Sequence, residues 1–88
     1  MKRNKLSFLI TKEELKCLED ISFLEPYLID NIKKAKAEAG MYRIEFYPYD
    51  LRDVLRALSY VKDYMHSYGE REDIYRLHSK IKEILTLN

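Results

Sequence analysis

An α+β fold, mostly helical, is predicted by three features of this 88-residue chain. Two short stretches, Leu6 to Ile10 and Tyr42 to Phe46, alternate apolar and polar residues. A Thr-x-x-Glu box at Thr11 to Glu14 has the form that opens a helix. Between Leu51 and Leu85, apolar residues recur at spacings of three and four. Together they give the order strand, helix, helix, strand, helix, helix, with a small two-stranded sheet and a C-terminal antiparallel helical hairpin. The length supports one core, so residues 1–88 read as a single domain, with 1–5 as a flexible basic terminus.

Each element has its own local cause. Leu6, Phe8 and Ile10 share one face of the first strand, against Ser7 and Leu9 on the other. The Thr11 hydroxyl and the Glu14 carboxylate can satisfy the unpaired amides of a helix starting at Lys12, and Pro26 limits that helix. Pro26 suits a first helical turn and Gly40 a helix end, so a second helix is expected from about Glu25 to Ala39. Tyr42, Ile44 and Phe46 mark the second strand; the two intervening helices most simply return it antiparallel to the first, a pairing that the sequence does not fix. Pro48 opens a third helix reaching about His66, on which Leu51, Val54, Leu55, Leu58, Val61 and Met65 form one stripe. Tyr68 and Gly69 turn the chain into a fourth helix, with Glu70, Glu72 and Asp73 in its acidic first turn and Ile74, Leu77, Ile81, Ile84 and Leu85 along its stripe. The short connection makes helices three and four antiparallel neighbours.

These elements resemble a group of short bacterial proteins of unassigned function. The likeness lies in the hydrophobic first strand, the Thr-x-Glu-Glu-Leu helix start at Thr11 to Leu15, and the Pro-x-Asp-Leu opening of the helical hairpin at Pro48 to Leu51. The resemblance implies the fold and carries no activity with it. Tyr60 and Tyr64 stand where members of that group often have small or polar residues.

Composition narrows the function. Sixteen Lys and Arg stand against fifteen Asp and Glu, for a net charge of +1, so no global field draws the chain to nucleic acid or to an anionic membrane. The lone Cys17 fits a reducing cytoplasm and reads as a small buried hydrophobe within helix one. No stretch approaches the roughly 20 apolar residues of a membrane span. The apolar run after Lys5 is too short for a secretory signal. Abundant Lys and Glu without any glutamine lean toward a thermophile composition.

Catalytic and ligand motifs are scarce. Gly40 and Gly69 are the only glycines, which leaves no phosphate-cradling loop. Asp63 and His66 share a helical face, but the repeated Glu-x-x-His elements of a di-iron bundle are missing. His78 beside Leu77 and Ile81 reads as a boundary residue. No catalytic, cofactor or metal residue is assigned, and no small-molecule substrate is evident.

Tyrosine is the unusual feature, with eight copies and no tryptophan. Tyr60, Tyr64 and Tyr68 recur every fourth residue and form a ridge beside the apolar stripe. Tyrosine pairs a large apolar ring with a polar tip, which suits interfaces. The expected role is therefore a non-enzymatic interaction domain that forms a homodimer, or binds another protein, through Tyr60, Tyr64, Tyr68, Leu58 and Met65 of the hairpin. The alternative is a nucleic-acid-associated regulator that uses Lys2, Arg3 and Lys5 of the terminus with Lys33, Lys34 and Lys36 of helix two, provided that folding gathers the two basic segments on one surface.

Overall fold

The computed structural model describes residues 4–64 and 71–87, with the backbone alone at residue 71. Its elements are β1 (Leu6–Ile10), α1 (Lys12–Glu19), α2 (Pro26–Lys33), β2 (Lys36–Glu38), β3 (Met41–Phe46), α3 (Pro48–Tyr64) and α4 (Arg71–Leu87). The mostly helical α+β class is as the sequence predicts. The sheet is not: it has three antiparallel strands in the order β1-β3-β2.

The extra strand comes from an early end to α2. That helix stops at Lys33, capped by Lys34, instead of continuing to Ala39. Lys36, Ala37 and Glu38 then pair with Arg43, Tyr42 and Met41. Ala39 (φ 52°) and Gly40 (φ 80°) form the two-residue turn between them. Positive φ at both central positions is the backbone of the hairpin turn that follows the right-handed twist of its strands. Gly40 therefore serves a hairpin rather than a helix end, and Ala39 holds a conformation that its Cβ disfavours.

Alternation sorts the sheet into two faces. Phe8, Ile10, Ile44 and Phe46 are buried, with Leu6 and Tyr42 packed against them. Ser7, Arg43, Glu45, Lys36 and Glu38 occupy the other face, where Arg43 spans all three strands. From β3 its Nη1 donates to Ser7 Oγ on β1 at 2.9 Å, and its Nε and Nη2 donate to the Glu38 carboxylate on β2 at 3.0 and 2.6 Å. Bidentate pairing holds the Glu38 carboxyl below the usual carboxylate range.

The helices cover the apolar face. Cys17, Leu18, Ile21 and Leu24 come from α1 and the segment after it, Leu28 and Ile32 from α2, Leu51, Val54, Leu58 and Val61 from α3, and Ile74, Leu77 and Ile81 from α4. All join the sheet residues in one cluster. Across the α3–α4 contact, Ser59 meets His78 and Lys62 lies over Tyr75, so one helix descends as the other rises and the pair is antiparallel as expected. The Tyr68–Gly69 turn lies outside the described residues.

The capping box of α1 forms as the sequence indicates and then does more. Glu14 N donates to Thr11 Oγ1 at 3.1 Å, and Thr11 N donates to Glu14 Oε1 at 2.8 Å. The same Oε1 accepts from Lys80 Nζ of α4 at 2.8 Å, and Lys80 also reaches the Leu9 carbonyl at 3.2 Å. Glu14 is completely buried, and its Oε2 has no hydrogen-bond partner among the described residues.

Two stability measurements follow. Removing one member of an enclosed ion pair strands the other charge, so Lys80→Met should cost about 3 kcal/mol in chemical denaturation. Glu14→Leu with Lys80→Met should cost clearly less than the two single changes together, since the second substitution removes the stranded charge. At the hairpin, Ala39→Asn should raise the thermal midpoint by several degrees, because asparagine adopts positive φ more readily and roughly 1 kcal/mol of strain is relieved. Gly40→Ala should lower it, although a Cβ there meets no atom within 4 Å.

Candidate functional site

The tyrosine ridge of α3 is only partly a hairpin feature. Tyr60 and Tyr64 are 52% and 69% exposed, with ring centroids 5.1 Å apart. Tyr60 also meets the edge of Phe23, centroids 5.5 Å apart at 76°. Phe23 belongs to the α1–α2 connection and is 48% exposed, and Tyr27 in the first turn of α2 is 52% exposed. Phe23, Tyr27 and Tyr60 line one cleft of about 430 Å³, floored by Leu24, Leu28 and Ala57. The ridge thus continues toward α2 as a band of four exposed rings.

The rim of this cleft carries both signs of charge. Glu25 and Asp53 are acidic, and Arg56 approaches Asp53 at 3.5 Å along α3. The Tyr27 hydroxyl donates to Asp53 Oδ2 at 3.5 Å. Its pKa is raised, first by burial and then by the negative charges of Asp53, Asp50 and Glu25, so it remains a donor. Asp50 is likewise raised, by burial and then by Asp53.

The expected interface residues divide. Tyr60 and Tyr64 are presented at the surface, whereas Leu58 is fully enclosed and supports the helix from within the core. Met65 and Tyr68 lie outside the described residues. Phe23 and Tyr27 were not anticipated. A signal for Phe23 exists in the run Ile21-Ser22-Phe23-Leu24, where three large apolar side chains crowd a short connection and one must face outward.

The basic segments also rearrange. Lys5, Lys34, Lys36 and Arg43 line a second groove of about 210 Å³ together with Asn31, Glu38 and Glu45. Asn31 Nδ2 donates to the Glu45 carbonyl at 2.5 Å and fastens α2 to β3 there. Lys33 points elsewhere, into a cleft with Lys12 and Lys16. Lys36 stands on β2 rather than on a helix. The Lys5 ammonium lies 5.3 Å over the Tyr47 ring, which stacks at 5.6 Å and 5° on Tyr49. Lys2 and Arg3 lie outside the described residues.

Polar groups with chemical potential are few. Ser59 Oγ and His78 Nε2 are 2.8 Å apart between α3 and α4. The His78 pKa is lowered by burial first and then by Lys62 and Lys82, against a smaller opposing pull from Asp63. This neutral pair clasps two helices, and neither residue lines the clefts described above. Cys17 is buried as expected. Among the described residues no three His, Cys, Asp or Glu side chains converge to hold a metal, and no helix is long and apolar enough to cross a membrane. His66 lies outside them.

Comparisons with protein-family models, curated proteins and solved structures give no match.

The His78 clasp makes a pH dependence testable. Its folded pKa lies below the ordinary 6.5, so under mildly acidic conditions the unfolded chain binds the proton more readily than the native one. The stabilisation is complete above that value and declines as pH falls through it toward the folded pKa. Denaturation midpoints from pH 7.5 to 5 should fall, and His78→Gln should flatten that slope. A direct titration of the His78 ring by NMR should give a midpoint below 6.5.

Proposed function

We propose that this chain is a non-enzymatic interaction module that forms a homodimer through the aromatic band of Phe23, Tyr27, Tyr60 and Tyr64. The observation that carries the reading is a run of exposed rings from three segments, with Phe23, Tyr27 and Tyr60 lining one cleft and Tyr64 lying against Tyr60 beyond it. Isolated surface aromatics are common, but a contiguous apolar patch rimmed by charge is the mark of a contact surface.

A second copy is the occupant because the patch is complementary to itself. A two-fold contact presents the same surface from both sides, so the rim must contain both signs of charge. Asp53 and Arg56 provide them one helical turn apart, and Arg56 of one copy can face Asp53 of the other. At their observed exposures the rings offer roughly 400 Å² per copy. That is about half of what each side of a standard stable interface buries, which suits a dimer of micromolar strength completed by its polar rim. The single cysteine, buried in the core, agrees with work in a reducing cytoplasm.

Sedimentation velocity over a wide concentration range should show a monomer–dimer equilibrium. Phe23→Ser and Tyr60→Ser should each weaken it at least fivefold while leaving the circular dichroism unchanged. Arg56→Asp should weaken it too, and Asp53→Arg with Arg56→Asp should restore it. A protein that stays monomeric up to millimolar concentration overturns the reading.

A further inference from the structure

We infer that the groove between the end of α2 and the outer face of the sheet binds a phosphoryl dianion, either inorganic phosphate or the terminal phosphate of a small molecule. The inference is independent of the dimer and uses different residues.

The groove follows from the way α2 gives way to β2. Since β2 pairs only with Met41 to Arg43, the edge of β3 beyond Arg43 is left to the helix, and Asn31 takes the Glu45 carbonyl there at 2.5 Å. The chain leaves α2 at Lys34 and enters β2 at Lys36, which sets two lysines on the rim of a recess of about 210 Å³. Arg43 and Glu38 complete it. The Arg43 guanidinium is held by Ser7 and by the Glu38 carboxylate, so this pair braces the recess and adds no net charge.

The rest of the charge is unbalanced. Lys34 and Lys36 are exposed, and among the described residues neither ammonium is in an ion pair. Lys5 also lines the recess, although it lies over Tyr47 and is felt by Asp50, so it lends only part of its charge. Glu45 is the one carboxylate left to oppose these three lysines. What remains is close to two positive charges, which a dianion cancels and a monoanion does not. Because α2 ends here, its carbonyl end also opposes an anion, so the lysines alone carry the affinity.

The same residues select a phosphoryl group over a carboxylate. The planar fork that would match a carboxylate belongs to Arg43 and is taken by Glu38, whereas a lysine is a point charge with rotatable donors and suits a tetrahedral oxyanion. The recess is smaller than the roughly 300 Å³ at which pockets for drug-sized ligands begin, so it fits the phosphoryl group and leaves any carrier outside.

Titration of the isotopically labelled full chain with sodium phosphate, glycerol phosphate and dimethyl phosphate, at pH 7.5 and low salt, tests this through the amide shifts. Both dianions should give saturable shifts at Lys34, Lys36 and Glu45 with a Kd of about 1 mM, and the tighter of the two identifies the source of the phosphoryl group. Dimethyl phosphate, a monoanion of the same geometry, should bind about tenfold more weakly. Lys34→Ala with Lys36→Ala should lose about tenfold in affinity for phosphate, whereas Glu45→Gln should gain about threefold, a gain that a merely structural role would not produce. These positions are exposed, and unchanged circular dichroism separates loss of binding from loss of fold. Shifts that fail to saturate by about 20 mM, equal affinity for dimethyl phosphate, a double lysine variant that binds like its parent, or indifference to Glu45→Gln overturns the inference. So does a twelve-nucleotide oligo(dT) that moves the same amides at lower concentration than either dianion, which would make the groove part of a track for a strand. Phe23→Ser, which weakens the dimer, should leave phosphate affinity unchanged, so the two proposals fail separately.

Discussion

The Glu14 carboxylate is the point at which three parts of the fold are fixed to one another. One oxygen caps the first turn of α1 through Thr11 and receives the Lys80 ammonium from α4, and Lys80 also holds the Leu9 carbonyl near the end of β1. The strand end, the helix that follows it and the last helix of the chain are thereby set in register. Enclosure gives the bond its weight. The ion pairs of Arg43 with Glu38 and of Arg56 with Asp53 are well exposed, where water and salt reduce such contacts to a fraction of a kcal/mol. Glu14 has no such recourse, because its side chain is almost completely shielded and would carry an unpaired charge if Lys80 left. Desolvating the Glu14 carboxylate opposes the attraction of Lys80, so this site specifies geometry more than it adds stability.

Half of that interaction was legible in the sequence. A capping box is local, and Thr-x-x-Glu before an apolar run announces it. Lys80 lies 66 positions away and looks like any solvated lysine on an amphipathic helix, so only the fold reveals it as the partner of Glu14. The third strand escaped for a different reason. Lys36, Ala37 and Glu38 are all exposed and have no apolar alternation, so β2 is held by its hydrogen-bonded neighbour and not by its own burial. Gly40 was ambiguous as well, since one glycine serves a helix end or a hairpin turn equally well until the residue before it also takes positive φ.

The aromatic band divides in the same way. Tyr60 and Tyr64 announce themselves by helical spacing, since a ring every fourth residue must line one side of α3. Their neighbours Phe23 and Tyr27 obey no period, because the connection that carries Phe23 has none and Tyr27 begins a short helix. Spacing also cannot rank depth within a stripe. Leu58 and Tyr60 belong to the same stretch of α3, yet one is sealed within the core and the other is half open beside Phe23.

The early end of α2 also builds the surfaces proposed for function. Tyr27, Asn31 and Lys34 follow at intervals of four and three and share one side of the helix, so a single stripe of α2 borders the aromatic cleft at one end and the basic groove at the other. Had the helix continued to Ala39, Lys36 and Glu38 would have turned around its axis to different sides, and Arg43 would have lost the carboxylate that engages it. The chain instead leaves the helix at Lys34 and doubles back through Ala39 and Gly40, laying Lys36 beside Arg43 on the open face of the sheet. A disfavoured backbone at one alanine is therefore retained where it assembles a groove from residues that the linear sequence keeps apart. Charge counted along the chain is a poor guide here, since Lys33 and Lys34 are adjacent at the end of α2 and, about 100° apart around its axis, face different clefts.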